Sequence, residues 1–220
     1  MVTAAGVTRG RQATGTKDAI MATAERLFAE HGVTAVSSRQ ISEAAGQGNN
    51  AAVGYHFGAK TDLIRAIVQR HDVKIERSRR LQVETVGEVG SVRAWVECLV
   101  LPLTEHLAAI GSTSWYARFS LQVTTDPVLR QIITDEIRSS AALARIGEGL
   151  LDGLADLSED TRTARFDMVR NLIMHTCADR ERALAASGEP PKPAWARTAT
   201  HLIDAVTGLL LAPDTGTSAV

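Results

Sequence analysis

Residues 19–68 read AIMATAERLFAEHGVTAVSSRQISEAAGQGNNAAVGYHFGAKTDLIRAIV, and their spacing decides the fold. Ile20, Ala24, Leu27 and Phe28 fall at i, i+4, i+7 and i+8, which is one face of a helix. Thr16 is placed to cap that helix and Gly32 to end it. Ser37 followed three positions later by Gln40 is a capping box, so a second helix starts there. Ile41, Ala44 and Ala45 supply its buried side, and Gly46 stops it. Gln47, Gly48 and Asn49 are turn residues. A third, very short helix then runs from about Asn50 to His56. After Gly58 a fourth begins near Ala59, with Leu63, Ile64, Ile67 and Val68 as its apolar stripe, and continues past Arg80. So short a third helix is a poor core element on its own. Joined to the second by a tight Gly-containing turn, it makes a helix-turn-helix pattern.

The rest of the chain also reads as helix. Val92, Trp95, Val96, Leu99 and Leu103 share a face, with a kink expected at Pro102. Trp115, Tyr116, Phe119 and Val123 begin another helix. Pro127 stands where a first helical residue belongs, and the pattern predicts one helix from there towards Leu154. Gly147, Gly149 and Gly153 would weaken its last turns or admit a close neighbour. Ser158, Glu159 and Asp160 start a helix that reaches about Ala186, and a final one spans roughly Ala194 to Leu211. The expectation is all-α: nine helices, with no strand and no internal repeat.

Composition agrees and narrows the class. The chain has 220 residues, 45% hydrophobic and only 4% aromatic, which suits packed helices. Cys98 and Cys177 lie far apart in sequence, so a secreted disulfide scaffold is not expected and a reducing cytoplasm fits. No apolar run reaches the roughly 18 residues a membrane span needs. The net charge of −1 hides a split. Residues 1–80 hold twelve Lys/Arg against seven Asp/Glu, or +5; residues 81–220 hold twelve against eighteen, or −6. One end is suited to a polyanion and the other is not.

The quoted stretch resembles the DNA-binding domain of TetR-type transcriptional repressors. The likeness rests on A-x-x-L-F-x-x-x-G at 24–32, I-x-x-A-A-G at 41–46 and Y-H-F-G-x-K-x-x-L at 55–63. One residue more than the common pattern separates Gly46 from Phe57, and Asn49-Asn50 replaces the usual Ser-Lys. The resemblance implies a nine-helix architecture. An arm over 1–15 precedes a helix-turn-helix domain over 16–75. A ligand-binding and dimerisation domain follows over 76–213, with a tail at 214–220.

A helix-turn-helix inserts the start of its third helix into the major groove. Here that segment is Asn49, Asn50, Ala51 and Ala52. Asn bonds bidentately to adenine and Ala touches a thymine methyl; turn and cap chemistry is the other reading of the two asparagines. Ser37, Ser38 and Arg39, at the start of the second helix, are placed for phosphates. By resemblance Lys60 is a phosphate-binding lysine, and Tyr55 with His56 matches a Tyr-His pair whose tyrosine commonly reaches the backbone; a packed cap is the other reading of His56. Arg9 and Arg11 are placed to track the duplex from the arm, a solvated tail being the other reading.

The implied function is a ligand-responsive regulator. As a homodimer it would grip a palindromic operator on double-stranded DNA, pairing through 159–186 and 194–211. A small, largely apolar effector would release it. Expected pocket residues are Trp95, Leu99, Trp115, Tyr116, Phe119, Met168, Asn171, Met174 and His175, with Arg118 or His175 for an acid group. No catalytic motif, metal-ligand spacing or nucleotide fingerprint is present, so neither an enzyme nor a cofactor is expected. The alternatives are a dimeric helical adaptor and a redox sensor using Cys98 and Cys177.

Overall fold

The structure is a computed structural model. It describes the backbone of residues 4–87 and 90–214, and side chains from residue 15 onward except at 136 and 137. Arg9, Arg11, Ile137 and the tail beyond 214 therefore fall outside the described side chains. Among the described residues there are ten helices and no strand. They are α1 (Ala4–His31), α2 (Ser38–Ala44), α3 (Ala52–Phe57), α4 (Lys60–Val86), α5 (Val92–Ile110), α6 (Tyr116–Thr125), α7 (Arg130–Ser139), α8 (Ala141–Gly153), α9 (Glu159–Ser187) and α10 (Pro191–Leu211).

Two boundaries differ from the expectation. First, α1 starts at Ala4, so Thr16 lies inside it rather than at its cap. Second, the single helix expected from Pro127 to Leu154 is two helices. Asp126 Oδ1 accepts from the amides of Val128 and Leu129, which holds 127–129 as a turn. Ser140 then interrupts the run: its hydroxyl accepts from the Leu143 amide at 3.0 Å and donates to Glu76 Oε1 on α4 at 2.7 Å. A serine that can cap a new helix and reach a buried carboxylate offers the chain a restart that periodicity alone does not reveal. This break makes the tenth helix. Pro102, where a kink is expected, lies inside α5, which runs through it as one helix.

The first three helices and the start of α4 enclose Ile20, Ala24, Phe28, Ile41, Val53, Leu63, Ile64 and Ile67, all fully buried. Gly32, at φ +85°, ends α1 in the left-handed region that glycine tolerates. The C-terminal core is built around α5, which packs against α4, α8 and α10. Gly149 and Gly153 admit that approach. A β-carbon at Gly149 would collide with the Trp95 indole, and one at Gly153 would lie 2.6 Å from Val92 Cγ2. Phe28 of α1 stacks on Phe119 of α6 with ring centroids 6.1 Å apart, so the two parts share packing. The helix α4, ~40 Å long at the usual rise per residue, belongs to both.

Candidate nucleic-acid interface

The sequence signals at α2 form as written. The Ser37 hydroxyl accepts from the Gln40 amide at 3.3 Å, and the Ser37 amide donates to Gln40 Oε1 at 2.8 Å. Ile41 is buried, but Ala44 is exposed and does not join the core. The turn is fixed from two sides. Asn49 Oδ1 accepts from the Ala51 amide at 2.9 Å. Ser42, fully buried, donates to the Ser38 carbonyl and accepts from the Val53 amide, which fastens α3 to α2.

This local chemistry sorts the expected DNA-contacting residues. Asn49 spends its side-chain oxygen on the turn. Asn50 and Ala51 are exposed. Ala52 is buried against the core and offers no methyl outward, a correction to the expectation. The exposed surface here is instead Asn50 and Ala51, in the turn that leads into α3, with Gly54 and Tyr55 on the helix itself, and Tyr55 is 82% exposed. A β-carbon at Gly54 would meet nothing within the chain. His56 is half-buried and packs edge-on to Tyr55 and Phe57. Arg39 is exposed and pairs with Glu43 at 2.8 Å, and Ser38 is half-buried.

Lys60 has a different primary role from the one its position implies. Its ammonium donates to the carbonyls of Val33 at 2.8 Å and Val36 at 3.0 Å, with the Phe28 ring beneath it. It ties the α1–α2 connection to the start of α4. Two of its three protons are engaged in that tie.

The nine expected pocket residues do not converge. Trp95 and Phe119 are core, and Tyr116 is buried against His71. Leu99 and Met174 are half-buried. Trp115 lies under the Arg118 guanidinium, 4.1 Å from its ring centroid. Met168, Asn171 and His175 are exposed on α9 at spacings of three and four, one outward stripe. Arg118 is not open to a ligand acid: its Nε donates to Glu181 and its Nη2 to the Ser114 carbonyl, each at 3.0 Å. Glu181 is 2% exposed and also accepts from the amides of Ala117 and Arg118, sealing the start of α6.

Two surface grooves exist elsewhere. One of about 530 Å³ runs between α5 and α10, over Leu101, Ala108, Trp195 and Ala199 with Glu105 and Lys192 at its edge. Another of about 500 Å³ separates α4 from the α7–α8 junction, beside Val73, Arg77, Leu81 and Ser139. Residues that sequence reasoning missed share one property. Glu25, His71, His106, Glu76 and Glu181 are buried and polar, with partners 35 to 64 positions away. No local pattern announces such pairs. Both thiols are buried, and burial pushes Cys177 up to about 12 and raises Cys98, which disfavours the thiolate form that redox sensing uses. Among the described residues no helix is long and apolar enough to cross a membrane, and no cluster of ligating side chains suits a metal.

Similarity to known proteins follows this anatomy. Residues 20–67 match the model of bacterial regulatory proteins of the tetR family. Residues 97–208, half the chain, match the tetracyclin repressor-like C-terminal domain. The HTH-type transcriptional repressor AcnR of Corynebacterium glutamicum is 29% identical over 124 residues, 56% of this chain and 59% of that protein. Its counterpart in Corynebacterium efficiens is 30% identical over 129 residues, 59% of this chain and 62% of that one. The matches thus span about three fifths of these relatives. A TetR-family transcriptional regulator from Pectobacterium atrosepticum aligns over 92% of this chain and 98% of its own at 19% identity, with a TM-score of 0.32. With one family model on the helix-turn-helix and another on the helical domain behind it, the chain belongs to the TetR family of bacterial regulatory proteins.

Proposed function

We propose that the protein is a DNA-binding transcriptional regulator, a repressor that grips a palindromic operator as a homodimer and lets go when a small, largely apolar effector binds. The observation that carries this reading is the outward face of α3. Asn50 offers an amide and Ala51 a methyl from the turn that leads into α3, and Tyr55 a phenol from the helix, which α2 holds through Ser42. Gly54 between them leaves room for a phosphate backbone to come close. A helix-interior glycine costs about 1 kcal/mol relative to alanine, so its presence on an open face is explained by what docks there. Ser37, Arg39, Tyr55 and His56 then position the duplex.

One α3 reads too few bases for specificity, and two on a twofold axis read a palindrome. The exposed stripes of α9, with Ala164, Met168, Asn171 and His175, and of α10, with His201, Ala205, Gly208 and Leu211, favour the pairing surface. The groove between α5 and α10 has the size and the indole floor of a small-molecule site. An effector that fits only one spacing of the two α3 helices lowers DNA affinity through differential binding alone. The test is selection from a random duplex pool at moderate salt, followed by titration of the winner against Asn50→Ala. The expected outcome is a palindromic sequence, salt-dependent binding, and at least a tenfold loss in the variant. Equal binding of selected and random duplex would overturn the reading.

A further inference from the structure

Four helices meet at one buried line of polar groups. Glu25 of α1 is 5% exposed, and its Oε2 lies 2.7 Å from Arg70 Nη2 and 2.9 Å from His71 Nε2 on α4. The other ring nitrogen of His71, Nδ1, is 2.8 Å from Nε2 of His106 on α5. Tyr116 of α6 lies flat on His71, with ring centroids 3.8 Å apart and planes 12° from parallel. The line therefore begins in the helix-turn-helix unit, crosses the helix shared by both parts, and ends in the C-terminal core.

Proton counting makes this line conditional. An ionised carboxylate only accepts, so the proton facing Glu25 sits on His71 Nε2. Between His71 Nδ1 and His106 Nε2 there is room for one proton, whichever ring holds it. If both imidazoles are fully protonated, two N–H groups face each other at 2.8 Å and the bond becomes a repulsion.

We propose that Glu25, His71 and His106 form a proton-counting latch: one shared proton holds α1 and α4 against α5, and a second opens the contact and weakens the grip on DNA. The last clause rests on the DNA-binding reading above. A loosened α4 no longer fixes where α3 sits, so binding must first restore that order.

The charged side chains that face the line are Glu25 and Arg70, with Asp72, Lys74 and Arg79 of α4 near the His106 and Tyr116 rings. Among the helices packed around the line, α8 carries Arg145, α9 Glu181 paired with Arg118, and α10 Lys192 beside Glu105 of α5. Burial keeps the Tyr116 phenol protonated. Burial, then the charges of His71 and Lys74, hold His106 down at about 4, against 6.5 for a ring in water. By linkage, acidification from pH 7.5 to 5.5 shifts the closed-to-open balance by about tenfold.

The test compares the full-length wild type with His106→Gln, whose amide keeps a hydrogen bond without titrating. Amide hydrogen exchange reads the latch with no DNA present. Protection around residues 71 and 106 should fall about tenfold between pH 7.5 and 5.5 in the wild type and stay level in the variant. Affinity for the selected duplex, at constant ionic strength, should fall over the same range by up to tenfold more in the wild type. Contributions from groups outside the line are common to both proteins and cancel in that difference. Equal pH responses in exchange would overturn the latch. A wild-type-specific loss of protection without any difference in DNA affinity would overturn its coupling to DNA. If no duplex is selected at all, the DNA-binding reading fails while exchange still decides the latch. Should His106→Gln not fold, His106→Asn, which likewise cannot titrate, makes the same comparison.

Discussion

The helix-turn-helix unit and the C-terminal core hold their polar groups in opposite ways. In the former most of the partners are close in sequence, Ser42 with the Val53 amide and Lys60 with the Val33 and Val36 carbonyls excepted. Ser37 caps with Gln40, Asn49 with Ala51, and Ala59 with Asp62. In the latter they are distant: Glu181 with Ala117 and Arg118, Ser140 with Glu76, Arg165 with the Leu210 carbonyl. Local bonds are exposed and individually modest, whereas long-range bonds are buried and costly to break. The first region is therefore tolerant in stability and demanding in surface chemistry. The second is the reverse.

The largest expected break in that contrast is Glu181→Ala. It leaves Arg118 buried without its carboxylate and two α6 amides without an acceptor, and should cost about 3–5 kcal/mol in urea unfolding while leaving the α3 face untouched. Acid comes next. The His106 value in the folded chain is depressed to about 4 from 6.5, so the unfolded chain binds more protons between those pH values. Stability should fall as pH drops from 6.5 to 4, by about 3 kcal/mol in all from this group. His106→Gln should remove that part of the slope; an unchanged slope would place the acid sensitivity elsewhere.

Ser37→Ala tests the local side and should cost about 1 kcal/mol, read as a small shift in the urea midpoint. The smallest effect has the opposite sign. Gly54→Ala should stabilise the fold by up to about 1 kcal/mol, since nothing in the chain occupies that space, yet weaken binding to a selected duplex. A variant with both stability and affinity raised would show that Gly54 does not face the DNA backbone.

The same contrast explains what could be read in advance. Helix starts at Ser37, Ser91 and Ser158 carry their caps within three residues, and all three form. The restart at Ser140 depends on Glu76, 64 residues away, and a helix-period pattern runs straight across it. Ala52 looked outward because it follows Asn49, Asn50 and Ala51; the rotation of a six-residue helix turned it inward. Lys60 sits where a phosphate contact is expected, but two carbonyls 24 and 27 positions back hold its ammonium. The pocket residues were chosen for being apolar or aromatic. That property selects core as readily as cavity, and Trp95 and Phe119 are core.

Sequence alone determined the all-helical class, the helix-turn-helix with its capping box and turn, and the family. Periodicity and capping act within a few residues, so they are written in order along the chain. Only the tertiary structure decided which face of α3 is open, where the long C-terminal run breaks, and how α1, α4, α5 and α6 meet at Glu25, His71, His106 and Tyr116. Those outcomes depend on which buried polar groups find one another, and desolvation makes such pairings matter only after the helices have packed.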